Sequence, residues 1–171
     1  MRLSIEFQII KKIYKYLIIA GIVLIVICTV FFFMRADKMT NAVIQTNKGN
    51  IIIELYPKES PITVENFKSY VESGFYDGTV FHRVISGFMI QGGGFLPDGT
   101  QKEVNAPIKL ESNNGLSNEK GTIAMARTAV PDSATSQFFI NTKDNVFLDY
   151  TGSSNPGYAV SGKVISGMDR S

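Results

Sequence analysis

Three hydrophobic patterns follow one another along the chain. Residues 17–34, LIIAGIVLIVICTVFFFM, are apolar and carry no charge. From residue 42 onward, short apolar or alternating stretches are separated by Asn, Asp, Gly and Pro, the pattern of strands joined by turns. Among them, Val64, Phe67 and Val71 recur at spacings of three and four, the stripe of an amphipathic helix.

The strand pattern can be followed in detail. Residues 42–46 and 51–55 read as a hairpin around Asn47-Lys48-Gly49-Asn50, and Pro57 stops further pairing. Ser60 and Pro61 predict a helix start, Ser as the N-cap and Pro at the first helical position, and Gly74 its end. Strands are predicted over 79–85, 88–91, 121–126, 137–141 and 158–165, the last interrupted by Gly162. Residues 95–120 and 142–157 read as loop, with a short turn at 146–148. About seven strands and one clear helix predict an all-β sandwich or barrel.

The apolar run sets the domain organisation. It is about long enough to span a bilayer, and Tyr14 and Tyr16 sit at its entry, where aromatic rings suit the headgroup level. A cleaved signal peptide competes with this reading, but its apolar stretch is shorter and ends in small residues, whereas this one ends in Phe31-Phe32-Phe33-Met34. A lipid anchor on Cys28 is disfavoured by Ile27 before it, where a small residue is expected. The expected division is therefore residues 1–16 as a cytoplasmic N-terminal segment, 17–34 as a transmembrane signal-anchor, 35–40 as a linker and 41–171 as a folded domain. Arg2, Lys11, Lys12 and Lys15 before the span favour a cytoplasmic N-terminus, by a small margin over Arg35, Lys38 and Lys48 after it. The folded domain then lies on the extracytoplasmic, periplasmic side of the inner membrane.

Charge and composition narrow the function. The net charge of +2 averages two unlike parts: residues 1–38 carry six bases and two acids, a net +4, and the remainder 11 bases and 13 acids, a net −2. The body has no basic run and no nucleic-acid footprint. One Cys excludes an internal disulfide, and one Cys with one His leaves no zinc site. His82 has no activated Ser or Cys to serve, so it reads as structural. Gly92-Gly93-Gly94 lacks the residues of a nucleotide loop and reads as a tight turn. If residues 79–85 form one strand, Phe81, Arg83 and Ile85 share a face, and an Arg among apolar neighbours is more often a snorkelling or salt-bridged residue than a catalyst.

The stretches FHRVISGFMIQGGGF (81–95), GTIAMAR (121–127), SATSQFFINT (133–142), FLD (147–149) and GYAVSGKVISGMD (157–169) resemble the cyclophilin family of peptidyl-prolyl cis-trans isomerases, in the family's order and spacing from about Asn41 to Asp169. The form is similar to bacterial members, with Arg127 and Tyr158 where many eukaryotic ones have Asn and His. The resemblance implies an all-β, eight-stranded closed barrel capped by helices. It implies Arg83 as the catalytic arginine, Phe88, Met89, Phe139, Leu148 and Tyr158 as the proline pocket, and Phe147 where many members have Trp. Gln91 and Gln137 match polar residues beside the arginine, and Ala126, Arg127 and Thr128 the segment along which substrate lies. No metal or cofactor is implied. The expected partners are proline-containing unfolded or flexible polypeptides, with weak cyclosporin binding because Phe147 replaces Trp. Ser161 stands where an aromatic is usual.

Family members continue through a helix and a last strand that pairs with the first. Here the resemblance stops at Asp169, and Arg170-Ser171 departs from the continuation. The sequence therefore predicts a barrel lacking its last strand, through truncation or a frameshift. With the scaffold in question, the expected isomerase stands beside two alternatives: a proline-segment binding module or holdase without turnover, and an inactive truncated product.

Overall fold

A computed structural model describes residues 14–19, 21–24 and 40–170. The chain divides into two units, Met1–Lys38 and Met39–Ser171. In the first, residues 14–19 and 21–24 are helical, and Leu17, Ile18, Ile22 and Leu24 are exposed. Among the described residues no helix is long and apolar enough to cross a membrane. Most of the predicted 17–34 span, including residues 25–34, lies outside them.

The second unit is built on one antiparallel sheet. Its strands are β1 (Thr40–Thr46), β2 (Gly49–Leu55), β3 (Arg83–Ile85), β4 (Met89–Gly92), β5 (Thr122–Met125), β6 (Phe138–Asn141) and β7 (Val160–Ser166). They lie in the order β1-β2-β7-β5-β6-β4-β3. One α-helix, α1 (Pro61–Glu72), and short 3-10 turns complete it. The closed eight-stranded barrel is thus corrected to an open seven-stranded sheet among the described residues. β1 pairs only with β2 and β3 only with β4, so each leaves an edge. Between these edges lies a cleft of about 830 Å³, floored by Phe67, Ile90 and Phe138.

The sheet is apolar on both faces. Alternation sends Ile90, Ile123, Met125, Phe138 and Ile140 into the main core, with Ile51, Ile53 and Leu55 of β2 and Val64 and Phe67 of α1. Met89, Ala124, Phe139 and Val160 form a second buried cluster. Their register places them on the opposite face, since Phe139 pairs with Gln91 and Ala124, and Ala124 with Val160.

Three local expectations are revised. Strand 79–85 shrinks to Arg83–Ile85. Phe81 packs against the main core while Arg83 lies in register with Gln91 on the other face, so the chain breaks alternation just before Arg83 and the two do not share a strand face. Helix α1 starts and ends where the sequence indicates, but Val71 is exposed and Tyr70 is buried in its place, its ring against Phe75 and Tyr76. The larger ring, three residues after Phe67, takes the last place on the stripe.

The third concerns the helix start. Ser60 makes no side-chain cap bond. Its hydroxyl instead donates to the Val160 carbonyl at 2.7 Å and accepts from Asn114. The free N–H groups of α1 are taken by the Glu111 carboxylate, which accepts from the backbone of Ile62 at 3.1 Å and Thr63 at 2.8 Å. An anion there also complements the helix dipole.

Gly162 lies where β7 crosses both β2 and β5. A Cβ at this position would stand 2.3 Å from the Glu54 carbonyl oxygen and 3.1 Å from the Leu55 Cα, both backbone atoms. Gly162→Ala is therefore expected to force the two strands apart and destabilise the domain by about 1–3 kcal/mol, the usual range for overpacking. Urea unfolding checks this, and an unchanged midpoint would remove the role assigned to the glycine.

Candidate active site

Five strands contribute to one row across the second face. Arg83 on β3 is opposite Gln91 on β4, Gln91 opposite Phe139 on β6, Phe139 opposite Ala124 on β5, and Ala124 opposite Val160 on β7. The row runs from a cation through an amide to an apolar patch. Around the patch stand Met89, two residues before Gln91, and Tyr158, two before Val160, with Phe88, Leu116, Ala126 and Leu148 packed against it. The Tyr158 ring meets Phe139 edge-on at 5.6 Å.

The polar end is a chain of side chains. Arg83 Nη1 donates to Gln91 Oε1 at 3.3 Å, and Gln91 Nε2 donates to Gln137 Oε1 at 2.8 Å. Gln137 in turn neighbours His82. Arg83 is exposed and forms no ion pair among the described residues, so its charge is uncompensated. The His82 ring lies 4.6 Å from that of Phe95. Partial burial pushes its pKa below the ordinary 6.5, and the positive charge of Arg83 adds to this, outweighing hydrogen bonds to Val80 and Gln137 that act in the opposite direction.

The structure brings together Arg83, Phe88, Met89, Gln91, Ala126, Gln137, Phe139, Leu148 and Tyr158. Phe147 stands further out. It is 65% exposed and stacks on Phe88 at 5.8 Å, so it forms part of the rim. The Arg127 guanidinium lies over the Tyr158 ring at 4.6 Å. Thr128 turns away, its hydroxyl bonded to Ser133 and to the Val130 N–H. Among the described residues no group of three or more His, Cys, Asp or Glu is placed to hold a metal ion.

The model of the family described as cyclophilin type peptidyl-prolyl cis-trans isomerase/CLD matches residues 42–170. The chain belongs to the cyclophilin family. This cyclophilin is 52% identical over 153 residues to peptidyl-prolyl cis-trans isomerase A of Dickeya dadantii, covering 89% of the chain and 80% of that protein. It is 56% identical over 126 residues to peptidyl-prolyl cis-trans isomerase B of Escherichia coli, covering 72% and 77%. Among solved structures, a Cryptosporidium parvum cyclophilin crystallised in the presence of the dipeptide Ala-Pro superposes with a TM-score of 0.66 at 32% identity, covering 76% of this chain and 81% of that one. The fold is the family's mainly-β one, present in this cyclophilin as a curled sheet that stays open.

Sequence reasoning missed what holds the pocket's loops. Asn145 Nδ2 donates to the Phe88 carbonyl and to Asn141 Oδ1, both at 2.8 Å. Asn141 donates to Asn118 Oδ1 and Thr122 Oγ1. Asp149 accepts from Ser117 Oγ and from the Asn118 backbone and side chain. Asn118, Asn141 and Asn145 are buried, and together they tie Phe88 to the turn carrying Phe147 and Leu148. Isolated Asn residues in loop-like stretches carry no periodic signal. Asp149 in the FLD motif was the one available hint.

His82 gives a direct test of the polar chain. Because its folded pKa is depressed, the neutral ring is favoured, and its stabilising contribution is full above pH 6.5 and lost as the pH falls below that value. It is the protein's one histidine, so its imidazole NMR signals need no assignment. A titration midpoint below 6.5 is expected, and a midpoint at or above 6.5 contradicts the placement against Phe95.

Proposed function

We propose that this chain accelerates cis-trans isomerisation of X-Pro peptide bonds through Arg83, with proline-containing unfolded or flexible polypeptides as substrates. The observation that carries the reading is the row that sets an uncompensated guanidinium beside an apolar patch, joined to it by Gln91.

The chemistry needs little more. A peptide bond resists rotation by ~18–20 kcal/mol because the nitrogen lone pair is delocalised into the carbonyl. Rotation requires the nitrogen to pyramidalise and conjugation to be lost, with no bond broken and no nucleophile. A guanidinium, always charged and with fixed donors, stabilises the twisted amide more than the planar one, which is differential binding of a transition state. Phe88, Met89, Phe139, Leu148 and Tyr158 hold the proline ring and exclude water, so the Arg83 interaction is less screened. Gln91 fixes the guanidinium, and Gln137 fixes Gln91. The separation of roles matters: apolar residues bind the ring alike in both isomers, and only the cation distinguishes the twisted state.

Arg83→Ala is expected to lower the isomerisation rate constant by roughly 10²–10³-fold, the usual loss for a transition-state donor, and to leave peptide binding largely intact. Arg83→Lys keeps the charge but loses the fork and is expected to recover only part of the rate. NMR exchange spectroscopy on an X-Pro peptide with the full chain in detergent measures both. No acceleration by the unsubstituted chain sinks the enzymatic reading, and binding without acceleration favours a proline-segment binding module.

We further propose that residues 17–34 anchor the domain at the inner membrane with the site on the periplasmic side. The uncharged apolar run, its entry tyrosines and the bases before it support this. Alkaline carbonate washing of bacterial membranes is expected to leave the full chain in the pellet and to release a form lacking residues 17–34. Release of both would refute the anchor.

A further inference from the structure

We propose that Arg127 makes the site selective for prolines flanked by an acidic side chain. This rests on the isomerase reading above and adds a substrate class to it. The Arg127 guanidinium is fixed by three contacts: Nε donates to the Gly157 carbonyl at 2.8 Å, Nη1 donates to the Thr128 carbonyl at 2.8 Å, and the group lies over the Tyr158 ring at 4.6 Å. These contacts use one edge and one face. No acceptor among the described residues takes Nη2, and no described carboxylate forms an ion pair with Arg127.

A cation held this firmly without an anion differs from an ordinary surface arginine, which loses side-chain entropy whenever it pairs. That cost is already met within the fold, so a carboxylate arriving at the remaining edge gains a charge-assisted hydrogen bond with little further ordering. Its position decides what arrives. Tyr158 leans edge-on against Phe139, so Arg127 stands at the rim of the patch on the β7 side, whereas Arg83 stands on the β3 side. A peptide with its proline on the patch runs between two cations, only one of which the isomerisation uses. The competing view is a staple: Arg127 merely secures the tight turn at Gly157, where a Cβ would stand 2.6 Å from the Tyr150 backbone nitrogen. A staple needs the Nε contact alone and is indifferent to substrate charge.

The test uses capped tetrapeptides Xaa-Ala-Pro-Ala and Ala-Ala-Pro-Xaa with Glu, Gln or Lys as Xaa, and the full chain in detergent. Affinity is read by NMR titration and turnover by exchange spectroscopy. On at least one flank, Glu is expected to exceed Lys by about five-fold at low salt, the scale of a partly exposed charge pair, and the ratio is expected to shrink toward one at high salt. Arg127→Gln is expected to abolish the ratio, and Arg127→Lys, which keeps the charge but loses the contacts that hold it in place, to retain only part of it. Equal values for Glu and Lys on both flanks, or a ratio that survives Arg127→Gln, overturns the proposal. Affinity carries the preference even without turnover, so failure of the isomerase reading and failure of this one are distinguished.

Discussion

The organising constraint is the period-two alternation of three short central strands. Along β4, β6 and β5 every side chain must face either the core or the opposite surface, and both sides are apolar. Ile90, Phe138, Ile140, Ile123 and Met125 fill the main core, so Gln91, Phe139 and Ala124 fall in a line on the opposite face, with Met89 on that face two residues before Gln91. A slip of one residue along β4 would turn Gln91 toward the core and take Met89 out of the patch. Core and site are therefore a single choice of register, and the tight packing that fixes one fixes the other.

Register orients the side chains that strands carry, but half of the patch comes from loops. There the work passes to buried polar groups. Three asparagines and Asp149 satisfy one another and the backbone around them, which holds Phe88 against the turn at residues 146–148. A network of this kind is costly if any member is left unpaired, and for that reason it tolerates few alternative loop conformations. The apolar patch is thus rigid in two ways, by strand pairing beneath and by hydrogen bonding at its border.

The sequence made the strands legible because alternation and turn residues are local signals. The hairpin of β1 and β2, the start of α1 at Pro61 and the turn at residues 146–148 all follow from them. What escaped was non-local. Glu111 serves α1 from 49 positions away in the chain, and nothing near Ser60 announces it. Arg83 stands apart from Phe81 because the chain departs from strand geometry between them, which composition does not reveal. The identity of the site residues came from the resemblance of whole motifs. Periodicity alone left Arg83 as an ordinary snorkelling or salt-bridged arginine and His82 as a structural residue.

The bond from Glu111 to the start of α1 also bears on how the molecule forms. A helix of 12 residues is marginal on its own, and here its first turn lacks a local cap. Its completion waits on closure of a loop nearly fifty residues long, which must be ordered before the carboxylate can reach the open N–H groups. Full capping of the helix thus depends on contacts distant in sequence, and closures of this length are the kind that slow the folding of sheet proteins.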